Sequence, residues 1–112
     1  MADHVVAVVR HLNSSVSISA SKIYSDADVA QISGATTNPA FTQQGYKTTF
    51  RVVPTDARQG LVFATYALKT LHSWKIVVVD DATLYGRGLA NAFAKAVVAG
   101  GGNGHQGEDS WR

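Results

Sequence analysis

The sequence predicts an α/β fold, with three α/β/α layers around a short, mostly parallel sheet. Runs rich in valine and isoleucine alternate along the chain with segments whose apolar residues recur at helical spacing, which is the pattern of βαβ units. The chain has 112 residues, and 46% of them are hydrophobic. This length and composition are typical of one small globular domain.

The first predicted elements are two strands with a helix between them. Residues 5–9 are a continuous, mostly β-branched run, so we expect a strand that is buried on both faces. Ser14 or Ser15 offers an N-cap to a helix that ends near residues 25–27. Residues 29–32 form the second strand. The apolar residues at helical spacing in the helix are Val16, Ala20, Ile23 and Tyr24.

The middle of the chain is predicted to be a long loop followed by a third strand. Residues 33–45 are polar and contain glycine and proline, so they form a loop with one helical turn after Pro39. Residues 48–53 are rich in threonine, valine and phenylalanine, which favours a strand that closes at Pro54.

Two helices and a fourth strand follow. Thr55 or Asp56 caps a helix over residues 57–71, with Leu61, Ala64, Leu68 and Leu71 on one face. Residues 75–79 are the fourth strand, apolar after the first residue. Residues 85–98 are the last helix, with Leu89, Phe93 and Val97 spaced by four.

Residues 1–99 are therefore predicted to form a single α/β domain, followed by a disordered tail over residues 100–112. The tail has no periodicity and is rich in glycine, and we expect Trp111 to have no packing partner. The chain has no cysteine, which excludes disulfides and thiolate chemistry. Its net charge is +2 without a basic block, so no nucleic-acid partner is expected. No run approaches the ~20 apolar residues of a membrane span.

Two turns rich in hydroxyl groups, at residues 13–15 and 33–39, each closely follow an apolar run. The carboxyl ends of parallel strands are where α/β sheets bind ligands. Backbone N–H groups and hydroxyls at such ends suit a carboxylate or a phosphate. The pattern predicts a receptor for a small anionic or zwitterionic ligand, with no catalyst beside it. The ordinary alternatives are a helix cap at Ser14 or Ser15 and a plain loop at Thr36 and Thr37.

Other candidate sites are weaker. Asp80 and Asp81 are read as closing a turn or capping the next helix, with paired carboxylates for metal or acid–base work as the alternative. Residues 86–88 contain two glycines but lack the third of a dinucleotide fingerprint. The four histidines show no ligand spacing. No metal or cofactor is therefore expected.

Three segments resemble the leucine/isoleucine/valine-binding proteins, the type I periplasmic substrate-binding subunits of branched-chain amino acid ABC transporters. They read VVAVVRHLNSSVSISASKIYSD, VAQISGATTNPAFTQQGYKTTFRVVPTDARQG and KIVVVDDATLYGRGLANAFAKAV. The resemblance implies a flavodoxin-like fold, binding rather than catalysis, an ABC permease as partner, and a periplasmic location. Residues 1–53 resemble lobe one of these two-lobed proteins, and residues 54–99 resemble lobe two.

The same resemblance implies a ligand site. Ser14 would bind the α-carboxylate of an amino acid through its hydroxyl and backbone N–H. Thr37 would help to hold carboxylate and ammonium, and the carbonyl of Ala35 would accept from the ammonium. Tyr85 would come from the second lobe and cover the ligand. Charge-assisted hydrogen bonds in a partly dry cleft suit both ends of a zwitterion.

The resemblance covers a quarter to a third of such a protein, which implies a truncated form. Arg10 also stands where a glycine is usual. Whether half a cleft still binds a ligand is left open. The sequence has no signal-peptide pattern, so as written it is expected in the cytoplasm.

Strands drawn from two lobes would leave exposed edges, so we expect a homodimer or higher oligomer that exchanges residues 55–98 between protomers. An alternative function is a ligand-free α/β interaction module that oligomerises. A further alternative is a nucleotide- or phosphate-binding enzyme domain that uses the hydroxyl turns.

Overall fold

The computed structural model describes residues 4–107. The chain divides into two compact units, with the division between Pro54 and Thr55. The boundary expected between the two lobe-like segments lies one residue earlier. That these units are the two lobes of one domain stays a prediction. Each unit has its own parallel sheet of short strands, so the predicted α/β fold is confirmed.

The first unit is built on a three-stranded parallel sheet in the order β1 (Ala7–Val9), β2 (Ala30–Ser33), β3 (Thr49–Arg51). Helix α1 (Ser14–Asp26) connects β1 to β2, and the short α2 (Ala40–Gln43) lies between β2 and β3. The helical turn that was expected after Pro39 is thus present. Because β2 is the central strand, its side chains are the best placed for burial.

Strand β1 is not buried on both faces, and that prediction is wrong. Val6 and Val9 are each 76% exposed, and Val5 is also exposed. Side chains of a strand point to the two faces of the sheet, and helix α1 packs against β2 rather than against the edge strand β1. The β-branched run therefore predicted the presence of the strand correctly but not the burial of its side chains.

Helix α1 begins at Ser14 after an extended Asn13, rather than after a serine cap. Its buried residues are Ser14, Ser17 and Ser21, whereas Val16 and Ile23 on the apolar pattern are exposed. The helix therefore turns a hydroxyl face inward.

The second unit contains α3 (Asp56–Lys69), β4 (Lys75–Val79), α4 (Leu84–Ala99) and β5 (Asn103–Gly107). Strands β4 and β5 pair in parallel. The buried residues Ala64, Leu68 and Val97 form a core that Ile76, Phe93 and Ala96 extend. As predicted, Thr55 caps α3: its side chain accepts a hydrogen bond from the backbone N–H of Arg58 at 3.3 Å.

Helices α3 and α4 pack most closely at Gly60. A Cβ atom added there would lie 2.6 Å from the backbone nitrogen of Phe93 and 2.7 Å from the carbonyl carbon of Ala92. These distances are far below van der Waals contact, and both atoms belong to the main chain. Gly60 is therefore the residue that permits this helix pair to approach.

The predicted disordered tail is wrong for residues 103–107, which form β5. Their pairing starts where the N–H of Asn103 donates to the carbonyl of Trp74 at 2.7 Å, and continues along β4. This pairing uses main-chain groups, so it needs no side-chain periodicity. Residues 100–102 are also ordered, because their N–H groups donate to carbonyls in the last turn of α4. Residues 108–112 of that prediction, with Trp111, lie outside the described part of the chain.

Candidate functional site

The two hydroxyl turns leave the sheet of the first unit at the same edge. Strands β1 and β2 are parallel neighbours, and Val9 at the end of β1 is paired with Ile32 in β2. The residues that follow both strands therefore emerge side by side at the carboxyl end of the sheet, where α/β proteins bind ligands. This pairing gives the predicted site a common location for its first-unit residues.

Ser14 and Thr37 have buried hydroxyls without a hydrogen-bond partner among the described residues. Ser14 is 1% exposed and Thr37 is 8% exposed. Buried polar side chains are normally hydrogen-bonded, and leaving one unpaired costs about 1–3 kcal/mol. Both groups lie in the turns predicted from the sequence, and Thr48 Oγ1 is a third such hydroxyl in this unit, outside those turns.

Ala35 lies in a turn that the side chain of Ser33 holds. The Ser33 hydroxyl oxygen accepts hydrogen bonds from the N–H of Thr36 at 2.9 Å and from that of Ala35 at 3.3 Å. Those two amides are thus engaged within the chain. The carbonyl of Ala35, rather than its N–H, is the group that the sequence analysis assigned to a ligand ammonium.

A cleft of about 440 Å³ opens beside this turn. It is lined by Val9, Arg10, His11, Leu12, Gly34 and Ala35. Of the predicted first-unit ligand residues, Ala35 lines the cleft, and the buried Ser14 and Thr37 do not. The structure therefore brings Ala35 to the surface of the site and places the two hydroxyls out of solvent.

Arg10 and His11 line the cleft although the sequence analysis gave neither a ligand role. The imidazole of His11 stacks on the ring of Tyr24, with centroids 6.0 Å apart, and its Nε2 lies 3.2 Å from the Tyr24 hydroxyl. The signal that could have found them is their position directly after β1, at the carboxyl end of a parallel strand.

Five fully buried polar residues join α1, β2 and the following turn. Ser17 Oγ lies 2.5 Å from Thr36 Oγ1, which lies 2.8 Å from Ser33 Oγ. The Ser21 hydroxyl donates to the carbonyl of Ser17 at 2.7 Å and to Gln31 Oε1 at 3.0 Å, two alternatives for its one proton. The Gln31 amide donates to the same Ser17 carbonyl at 3.1 Å. Sequence patterning did not reveal this network.

Tyr85 lies in the second unit, where it is the second residue of α4 and is 43% exposed. Its assignment as a ligand contact stays a prediction. The helix start that carries it is well fixed, because Thr83 Oγ1 accepts from the N–H of Gly86 at 2.9 Å.

Asp81 organises that helix start. Its Oδ1 accepts from the Thr83 hydroxyl at 2.7 Å and from the Thr83 N–H at 3.0 Å. These hydrogen bonds lower the pKa of the Asp81 carboxyl below its ordinary value. Asp80 similarly accepts from the N–H of Ala82 at 2.8 Å. Both carboxylates therefore hydrogen-bond within the turn before α4, in agreement with the prediction that this pair closes a turn or caps the next helix.

Neither a metal centre nor a membrane span is found in residues 4–107. No group of three or more acidic or histidine side chains in that part of the chain is placed to hold a metal ion. Every described helix is too short or too polar to cross a bilayer.

Comparison with known proteins gives consistent results. The family described as "Receptor family ligand binding region" matches residues 1–103. A Leu/Ile/Val-binding protein homologue of Brucella melitensis is 43% identical over 94 residues, which are 84% of this chain and 25% of that protein. A leucine-specific-binding protein of Salmonella typhimurium is 37% identical over 101 residues, or 90% of this chain and 27% of that protein.

Solved structures agree with these relatives. A leucine-binding protein from Thermotoga maritima has a TM-score of 0.86 and 31% identity, over 91% of this chain and 29% of that one. A substrate-binding protein of an ABC transporter from Desulfitobacterium hafniense, in complex with leucine, has a TM-score of 0.78 and 36% identity, over 89% and 30%. The chain thus spans about a quarter of the length of the relatives that it matches. It belongs to the receptor ligand-binding-region family, and its relatives there are leucine/isoleucine/valine-binding proteins.

Proposed function

We propose that this chain binds a free amino acid of the branched-chain type, as part of the substrate-binding protein of an ABC transporter. The observation that carries the proposal is the pair of buried, unpartnered hydroxyls of Ser14 and Thr37. A ligand carboxylate would accept from both hydroxyls, which must become accessible from the neighbouring cleft as the ligand binds, and the carbonyl of Ala35 would accept from the ligand ammonium.

The chemistry favours a carboxylate over a neutral group. Hydrogen bonds to a charged partner contribute about 1.5–3 kcal/mol each, roughly twice as much as bonds between neutral groups. The N-terminus of α1, which begins at Ser14, adds a favourable partial positive charge of its own. These groups suit binding of a ligand rather than its chemical conversion.

The branched-chain preference comes from the relatives, whose names specify leucine, isoleucine and valine. By the same relationship, the partner is an ABC permease and the compartment is the periplasm. Tyr85 would supply a further ligand contact. Since the chain spans a quarter of the relatives, we expect weak binding by the chain alone, with a Kd of about 1 mM.

An NMR titration tests the proposal. Leucine is added to the isotope-labelled chain, and leucinamide and N-acetyl-leucine are added in parallel as ligands that lack the carboxylate or the ammonium. We expect leucine to shift the amide resonances of residues 12–15 and 34–38, and both analogues to bind at least about tenfold more weakly. Thr37→Val, which keeps the shape but removes the hydroxyl, should raise the Kd for leucine by about tenfold. Equal binding of leucine and leucinamide would contradict the proposed carboxylate site.

A second candidate function is a ligand-free module that forms a homodimer or a higher oligomer, by exchange of residues 55–98 between protomers. Exposed valines in each unit favour it: Val6 and Val9 in or next to β1, and Val77 and Val79 in β4. Exposed apolar patches often mark interaction sites. Size-exclusion chromatography with light scattering tests it, and a monomer that stays folded at all concentrations would argue against it.

A further inference from the structure

We propose that Ser33 is a positioning residue of the amino-acid site, an inference that rests on the proposed function. Its hydroxyl would not touch the ligand. It would fix the turn over residues 34–37, and with it the Ala35 carbonyl and the Thr37 hydroxyl, against the first turn of α1.

The Ser33 hydroxyl has four hydrogen-bonding neighbours within the first unit. The side chain is fully buried, and its oxygen accepts from the N–H groups of Ala35 and Thr36. Its single proton lies within reach of Thr36 Oγ1 at 2.8 Å and of the His11 carbonyl at 3.3 Å. The Ser33 side chain thereby fixes the conformation of the turn after β2 and connects this turn to the segment after β1.

The network continues into the helix that carries Ser14. Thr36 Oγ1 lies 2.5 Å from Ser17 Oγ, and the N–H of Ser17 donates to the carbonyl of Asn13 at 3.0 Å. Ser17 lies three residues after Ser14, so both belong to one helix face, and both are buried. A continuous path of hydrogen bonds therefore links the turn with Thr37 to the helix start with Ser14.

Removing the Ser33 hydroxyl deprives two amides in the turn of their acceptor. A buried N–H without an acceptor is costly, so the turn would relax and the ligand groups on it would move. Ser21 provides a matched control. It is equally buried and belongs to the same network, but it bonds to Ser17 and Gln31, away from this turn.

The test compares Ser33→Ala with Ser21→Ala in the full chain by two measurements. The first is the hydrogen-exchange rate of the Ala35 and Thr36 amides without ligand, and the second is the Kd for leucine. We expect Ser33→Ala to speed exchange at both amides by about tenfold or more and to raise the Kd by about tenfold. Ser21→Ala should change the exchange rates and the Kd by less than about twofold, although it lowers the stability of the chain about as much as Ser33→Ala does.

Similar exchange rates at residues 35 and 36 in the two variants would overturn the positioning role. If the wild-type chain binds no leucine, the proposed function fails, and the exchange comparison still decides whether Ser33 holds the turn. If Ser33→Ala does not fold, Ser33→Cys serves instead, because a thiol sulfur is a weak hydrogen-bond acceptor for the two amides. It should also speed exchange at these amides, and unchanged rates would equally overturn the role.

Discussion

Ser14→Ala should make the ligand-free protein more stable. The Ser14 hydroxyl is buried and has no partner among the described residues, so the folded chain carries its desolvation cost, about 1–3 kcal/mol. Alanine removes that cost and is also a better helix former than serine. We expect the free energy of unfolding to rise by about 1–2 kcal/mol. Such a gain in stability would show that the Ser14 hydroxyl lacks a partner in the ligand-free protein, as expected of a group that hydrogen-bonds to a ligand.

Ser17→Ala is the matched control, because it deletes the same atom one helical turn later on the same buried face. Its hydroxyl is hydrogen-bonded to Thr36, so its loss should lower the free energy of unfolding by about 1 kcal/mol. Urea denaturation of dialysed protein, followed by circular dichroism, measures both variants. The reasoning is refuted if Ser14→Ala destabilises the protein as Ser17→Ala does, because the Ser14 hydroxyl would then have a partner within the chain.

Two further predictions concern the second unit. Gly60→Ala would normally stabilise a helix by about 1 kcal/mol, but here the new Cβ meets the main chain of Phe93, and overpacking costs about 1–3 kcal/mol or more. We expect a net loss of about 1–2 kcal/mol in the same denaturation assay, against little change for Gly34→Ala, which has open space; equal effects would contradict the close approach. The pKa of Asp81 is lowered in the folded state, so its stabilising effect is present above about pH 4 and is lost as the pH falls through the folded pKa. The wild-type chain should therefore lose stability below about pH 4 more steeply than Asp81→Asn, and parallel pH profiles would show that Asp81 does not contribute.

Local patterns predicted the elements of this fold better than their surroundings. The valine run of β1 and the spacing in α1 gave both elements nearly correct bounds. They did not give burial, because burial depends on which neighbour covers a face. Strand β1 exposes Val9 because α1 packs on β2 instead, and α1, which packs through hydrogen bonds, exposes Val16 and Ile23. Strand β5 was missed because main-chain pairing to β4 creates it, and glycine-rich residues 103–107 show no side-chain pattern.

The site was predicted in part. Hydroxyl turns after two strands indicated Ser14 or Ser15 and Thr36 or Thr37, and the parallel pairing of β1 with β2 brings both turns to one edge. The choice of Ser14, Thr37 and the Ala35 carbonyl as ligand groups came from the family resemblance and stays a prediction. Sequence reasoning missed the support behind them, above all Ser33 and Gln31. A buried polar network depends on which side chains of α1 contact which side chains of β2. Residue spacing within one element does not predict contacts between two elements.

The serine face of α1 has a consequence for how this unit tolerates change. Apolar interfaces accept many combinations of similar volume, since dispersion forces have little directional preference. The seam between α1 and β2 instead depends on matched donors and acceptors. A helix that rotated by one residue, about 100°, or slid by 1.5 Å along its axis, would lose several of these matches at once. We therefore expect single substitutions among these hydrogen-bonding side chains to be poorly tolerated. Related sequences should either keep all of the hydroxyls and the amide or replace the whole set together.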